Sequence, residues 1–288
     1  MYFVSGITGQ VGGAVARRLL ADGHTVRTLA RDPNKAADWS KMGVDVRRGD
    51  SNDAAAVASA LDGVEGAFLM MFPAPPTPGY PEARATVSSY RAALRQAPPP
   101  RLVILSSFGS ERTSGLGNIT STHLLEEALN DVPFPTAFVR AGSFIENYSY
   151  GLQQANATGS FGVFLTPTDR AVPMIASADI GDQIAHLLRT DWSGKKIVEL
   201  GSHISPDELA RAMSGVLGKP VEVRSIPREH WKDSLAHMGI PAESISPYEE
   251  MMDAINSGWI DFGASGTESV AGTTTPAEVF AREHRRGH

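Results

Sequence analysis

Gly6-Ile7-Thr8-Gly9-Gln10-Val11-Gly12 is the stretch that decides the fold. It follows the apolar run Tyr2-Phe3-Val4, and it opens a segment with Val11, Val15, Leu19 and Leu20 on one helical face. Strand, glycine turn and helix in that order form the context in which such a motif carries meaning. Gly6 allows the tight turn, Gly9 lets the backbone approach a pyrophosphate, and Gly12 lets the helix pack close to the strand. The free N–H groups and dipole at the start of the helix favour an anion. Thr8, Gln10 and Val11 lie between and beside the glycines and would border the same group. The expected ligand is a dinucleotide.

Outward from this turn, apolar runs alternate with helical periodicity. Strands are expected at Tyr2–Ser5, Thr25–Ala30, Asp45–Arg48, Gly66–Met71, Arg101–Ser106 and Thr136–Arg140. Helices are expected at about 10–21, 33–42, 52–61, 80–96 and 120–130. Repeated βαβ units imply an α/β protein with a Rossmann, doubly wound parallel sheet. Its ligand would sit at the carboxyl ends of the strands. The Rossmann lobe is expected over 1–142 with a returning segment at 172–204. A smaller mixed substrate lobe is expected over 143–171 and 205–288.

Composition narrows the function classes. The chain has 288 residues, a net charge of -6 and 42% apolar residues. An acidic chain argues against a nucleic-acid partner. There is no cysteine, which excludes disulfides and thiolate chemistry and suits a cytoplasmic protein. No apolar run reaches the length of a membrane span, and a strand starting at residue 2 leaves no room for a signal peptide before it. No metal site is expected, because the histidines and carboxylates lack ligand spacing.

The second strand ends in Ala30-Arg31-Asp32-Pro33-Asn34-Lys35. An acidic residue about 20 residues past the glycines marks NAD, whereas basic residues there suit the 2′-phosphate of NADP. Arg31 and Lys35 supply that charge, so NADP(H) is the expected cofactor. Asp32 either binds ribose or caps the helix begun by Pro33. After the third strand, Asp50 and Ser51 either face the adenine or cap the next helix.

These motifs, Ser-Gly-x-Thr-Gly-x-x-Gly, Ala-Arg-Asp-Pro-x-Lys and Gly-Asp, resemble those of the NmrA-like atypical short-chain dehydrogenase/reductases. Leu105-Ser106-Ser107, Thr122-His123-Leu124-Leu125-Glu126 and Val139–Asn147 extend the likeness, as does Val172–Ile180. It covers about residues 1–205 well. The resemblance implies that Met71, Phe72, Ser106, Ser107, Ala141, Gly142 and Phe144 border the cofactor. It also implies NADPH-dependent reduction of quinones and related molecules, or a regulator without turnover.

One departure stands out. Ordinary members of the wider short-chain dehydrogenase/reductase family use Ser and then Tyr-x-x-x-Lys to protonate a carbonyl oxygen, the lysine lowering the tyrosine pKa. This chain has no such motif, and no lysine between Lys41 and Lys195. His123 lies on the helix that would carry the tyrosine. It is the candidate proton donor, because imidazole can give up a proton near neutral pH. Its other reading is a hydrogen bond to the loop after the fifth strand. Ser106 and Ser107 either touch the nicotinamide ribose or satisfy strand-end backbone groups. Glu126 and Glu127 read as a solvated helix face.

The substrate wall is expected from Met71, His123, Phe144, Asn147 and Tyr148, with the stiff proline loop after Phe72 alongside. A helix at 228–238 would add Trp231 as a lid. Ser205-Pro206, Ser246-Pro247 and Thr275-Pro276 read as three capped helix starts, and 257–275 as a surface loop. The expected activity is NADPH-dependent reduction of a small apolar molecule such as a quinone or conjugated carbonyl compound. A non-catalytic NADP sensor is the alternative, and an isomerase or dehydratase a third reading. A homodimer is compatible with all three.

Overall fold

In the computed structural model, which describes residues 1–72 and 75–286, the chain alternates strands and helices as the pattern requires. The first half runs β1 (Tyr2–Val4), α1 (Gln10–Ala21), β2 (Val26–Ala30), α2 (Ala37–Lys41), β3 (Asp45–Arg48) and α3 (Ala54–Leu61). It continues with β4 (Gly66–Met70), α4 (Pro81–Gln96), β5 (Leu102–Ser107), α5 (Thr120–Leu129) and β6 (Thr136–Ala141). The expected helix over 33–42 is split. Asp32 Oδ1 accepts from the Asn34 N–H at 3.0 Å and caps a 3₁₀ turn at Pro33–Ala36, which leads into α2.

The remaining elements are β7 (Ser143–Phe144), α6 (Ser149–Thr158), β8 (Ser160–Val163), β9 (Val172–Ile175), α7 (Ser177–Arg189), β10 (Lys195–Leu200) and β11 (Ser202–Ile204). Then follow α8 (Pro206–Leu217), β12 (Glu222–Ser225), α9 (Trp231–His237), α10 (Ala242–Ser257), β13 (Glu268–Val270) and α11 (Pro276–Arg286).

Eight strands form one parallel sheet in the order β13-β10-β6-β5-β4-β1-β2-β3. The order reverses at β1, which lies between β2 and β4, so the ligand crevice of such a sheet opens beyond β1 and β4. Apolar side chains cover both faces. Val4, Val15, Ile180 and Ile184 belong to the core under α1 and α7. Phe3, Leu61, Tyr90 and Leu125 belong to the core under α3, α4 and α5. A third core, with Leu152, Phe161, Met213 and Phe280, lies under α6, α8 and α11. Two small sheets accompany it, β11-β9-β7 and β12-β8.

Two expectations for the C-terminal part fail, each for a physical reason. Residues 268–270 were expected in a surface loop of the smaller lobe, but they pair with β10 as the edge strand of the large sheet. Their loop is tied down by Glu199, whose carboxylate accepts from the Gly263 and Ala264 N–H groups at 2.8 and 3.0 Å. Ser246-Pro247 does not start a helix: α10 begins at Ala242 and carries Pro247 inside it. Pro241 already fixes the entry to that helix. The Ser205 capping box forms in full, and Thr275 and Glu278 exchange backbone bonds in the same way.

The tightest constraint lies at the first turn. A Cβ on Gly12 would stand 2.3 Å from the Gly6 carbonyl oxygen and 2.5 Å from that of Ser5. Both neighbours are backbone, so no side-chain rotation relieves the clash. Gly12→Ala is therefore expected to cost about 1–3 kcal/mol as α1 is pushed off β1. A urea titration checks this: the midpoint should fall with an unchanged slope, and an unmoved midpoint would show that α1 does not sit this close.

Candidate functional site

Two helix N-termini emerge side by side at the carboxyl edge of the sheet. α1 and α7 run parallel, with Gly181 against Ala14 and ion pairs Arg18–Asp182 at 3.5 Å and Arg189–Asp22 at 3.0 Å. The first turn of α7 is already filled: Glu146 Oε1 accepts from Ser177 N–H at 2.9 Å and from Ser177 Oγ at 2.6 Å. No side chain caps α1, and Thr8, Gly9 and Gln10 are exposed there. Its partial positive charge is thus left for a ligand anion. Val11 and Gly12 are buried behind it.

The end of β4 forms the other wall. Met70 Sδ and Phe72 Cε1 lie 3.1 and 3.4 Å from where a Gly6 Cβ would be. Phe72 is 40% exposed, so an aromatic face stands open beside the glycine turn. Met71 points the other way, towards the core under α3 and α4. Pro73 and Ala74 of the expected proline loop lie outside the described residues. Beyond them, Ser244 Oγ donates to the Pro76 carbonyl at 2.9 Å, and Tyr80 Oη to Gly117 O at 2.8 Å.

At the end of β2, Arg31 and Lys35 are exposed and have no acidic partner among the described residues. Asp32 serves as the cap described above. Asp50 closes a turn on the Asn52 N–H at 2.9 Å, and the cap of α3 is Asp53, not Asp50. Ser51 lies within hydrogen-bonding reach of Tyr90, whose buried hydroxyl donates to Met70 O at 3.0 Å. Burial pushes the Tyr90 phenol well up, so it stays neutral and acts as a brace.

The region after β5 departs most from expectation. Ser106 does not reach for a cofactor: it is buried and donates to Glu126 Oε1. Glu126 is no solvated residue. It is 9% exposed and takes a fork from Arg140, Nε to Oε1 at 3.0 Å and Nη2 to Oε2 at 2.7 Å. The third guanidinium nitrogen, Nη1, lies 3.2 Å from Glu111 Oε2. Glu127 is exposed, as expected. The neighbouring Ser107 is half-buried and donates to the Phe108 carbonyl at 3.1 Å.

His123 is half-buried, with Nδ1 2.8 Å from the Ser110 carbonyl oxygen. A carbonyl only accepts, so Nδ1 carries the hydrogen, and neutral His123 presents Nε2 as an acceptor. It donates from Nε2 only as imidazolium. The sequence foresaw this loop contact but not the tautomer it imposes.

Ala141 and Gly142 are buried where β6 hands over to the small sheet; a Gly142 Cβ would stand 2.7 Å from the Pro173 carbonyl carbon. Phe144 is half-buried against the core under α1 and α7, Asn147 is exposed, and Tyr148 packs against the third core. Trp231 is not a lid. It is 2% exposed, its Nε1 donates to Ile226 O at 2.7 Å, and Phe164 meets it edge-on at 5.7 Å. A cavity of about 510 Å³ beside Trp259, lined by Gly115, Arg228, Glu249 and Asp253, shares no residue with the crevice. Among the described residues no three His, Asp or Glu side chains converge as metal ligands, and no helix is long and apolar enough to cross a membrane.

With this geometry in place, comparison with known proteins is direct. The sequence pattern of the NmrA-like family matches residues 3–265. The chain belongs to the NmrA-like family. Among its relatives, an NAD(P)H azoreductase of Xenophilus azovorans is 26% identical over 100% of this chain and 98% of its own. Quinone oxidoreductase 2 of Escherichia coli is 27% identical over 84% of this chain and 83% of its own. The crystal structure of an NADPH-dependent quinone oxidoreductase of Escherichia coli superposes with a TM-score of 0.77 at 25% identity, covering 98% of this chain and 99% of that one. This NmrA-like chain shares the fold of that enzyme over nearly its whole length.

The Arg140 network gives a stability test. Arg140→Met removes the counter-charge of two carboxylates and should cost about 3–5 kcal/mol. Adding Glu126→Leu should recover part of that loss in denaturant titrations, since it leaves only the half-buried Glu111 without its Arg140 partner. Equal stability of Arg140→Met and the parent would mean the network is solvated.

Proposed function

We propose that the protein is an NADPH-dependent reductase of small apolar acceptors such as quinones, conjugated carbonyl compounds and azo dyes. The observation that carries this reading is the open N-terminus of α1 at the sheet's reversal, beside an α7 terminus that the protein fills itself. The residues present fit the cofactor. The backbone cradle at Gly12 admits no Cβ, and Arg31 and Lys35, without an acidic partner among the described residues, stand at the strand end where a 2′-phosphate is read. The azoreductase and quinone oxidoreductase relatives support the same chemistry.

The cofactor supplies hydride when bound. The chain's own work is to bind and orient. The first N–H groups of α1 would hold the pyrophosphate, and Arg31 and Lys35 would hold the 2′-phosphate by charge-assisted hydrogen bonds. Phe72, Met70 and Phe144 give apolar surface for a planar acceptor and exclude water. Alignment of donor and acceptor supplies most of the acceleration. A quinone or azo acceptor asks little of an acid, which suits a site with no Tyr-x-x-x-Lys. His123 delivers a proton as imidazolium, and as the neutral ring it accepts from a ligand hydroxyl. The absent tyrosine and lysine also support the rival reading of an NADP sensor without turnover.

Arg31→Ala should weaken NADPH by about tenfold or more, the value of one charge-assisted phosphate contact, and leave NADH nearly unchanged. Calorimetric titration of both cofactors measures this; tighter NADH than NADPH binding in the parent protein would overturn the assignment. A panel of quinones, enones and azo dyes with NADPH should give turnover for at least one member. His123→Ala should slow it by about 10–100-fold, since water can replace an imidazole donor. Tight NADPH binding with no turnover across the panel would favour the sensor.

A further inference from the structure

The loop between β5 and α5 is held at two points on either side of the Ser110 carbonyl. On one side, Ser110 Oγ lies 2.8 Å from Thr122 Oγ1. Thr122 Oγ1 donates its own hydrogen to Ile119 O at 2.8 Å, so Ser110 is the donor in the first bond. Ser110 is 1% exposed, so that hydroxyl has no water to turn to. Thr122 precedes His123 on α5, and the bond therefore pins the loop at the histidine's own position. On the other side, Glu111 reaches Arg140, which is already forked on Glu126 in the interior. The loop is thus tied to a strand and to a helix, with the carbonyl that His123 meets between the two ties.

The geometry points to Thr122 and Glu111 as positioning residues for His123: together they hold the Ser110 carbonyl on Nδ1 and so leave Nε2 as the free nitrogen. Nε2 has no hydrogen-bond partner among the described residues. A ring held this way offers one face and one acceptor to a ligand, whereas a released ring would sample both tautomers and a second orientation. Neither residue needs to touch a ligand to do this. Arg140 keeps its fork on Glu126 if Glu111 is neutralised, so Glu111 can be changed without stranding a buried charge. This inference rests on the reading of His123 as a residue of the reaction, and the test separates the two.

The variants are Glu111→Gln, Thr122→Val and the pair, with Thr122→Ser as the conservative control, all in the full chain. Long-range ¹H–¹⁵N spectra of the free protein, with His123→Ala identifying the ring, report the tautomer directly. The parent and Thr122→Ser should show a single Nδ1–H ring. The double variant should show Nε2–H as well, and its kcat with a quinone at saturating NADPH should fall by about tenfold. NADPH affinity should stay within about twofold, because neither residue borders the phosphates. A single unchanged ring in the folded double variant overturns the proposal whatever the turnover. A changed ring with unchanged kcat upholds the tether and overturns instead the placement of His123 in the reaction.

Discussion

The contact between the backbone of Gly12 and the carbonyls of Gly6 and Ser5 sets the geometry of everything around the crevice. It seats α1 so close to β1 that no side chain intervenes. α7 then packs alongside α1 through Gly181 on Ala14, and the two helices begin at the same edge. Two positive helix ends in one place are a charge problem unless each finds an anion. The protein supplies one, Glu146, and leaves the other open. Which end is left open fixes where a phosphate can sit. Phe72 and Met70 then acquire their positions beside it from the end of β4.

Most of the sheet was legible because its signals are local. Alternating apolar runs, a glycine turn and basic residues after β2 can each be read within a few residues. Glu126 and Arg140 show where that reading stops. On α5, Glu126 follows His123 in a run that looks like an ordinary amphipathic helix, and nothing in its neighbours announces a guanidinium from β6. The one clue was Arg140 inside Thr136-Ala137-Phe138-Val139-Arg140-Ala141, a charge in a strand whose residues are all buried. A buried charge requires a partner, so the strand itself asked for a carboxylate. Trp231 was misplaced for the converse reason: an apolar helical face fits a lid and a core equally well, and only the bond from its indole to Ile226 decides.

The same network explains how the site differs from one built on tyrosine and lysine. There, a lysine on the helix after β5 lends positive charge to a phenol. Here that helix turns a carboxylate inward, and the positive charge comes from β6. Arg140 is spent on Glu126 and Glu111, so its charge is neutralised before it reaches the crevice. In the proposed reading, proton chemistry falls instead to His123, whose Nδ1 is held by the Ser110 carbonyl.

The ties made by Asp179 and Glu199 bear on the order in which the molecule can be built. Asp179 accepts from the Thr273 and Thr274 N–H groups at 2.7 and 2.8 Å, and Glu199 from Gly263 and Ala264. Both carboxylates are buried, and their partners lie 64 to 95 positions further along. During synthesis, β10 is therefore a bare sheet edge, and two acidic groups await donors, until residues 263–274 have emerged. An unpaired strand edge is a template for association with other chains. The nascent sheet is open to misassembly until that segment arrives, and the segment then works as a seal along β10.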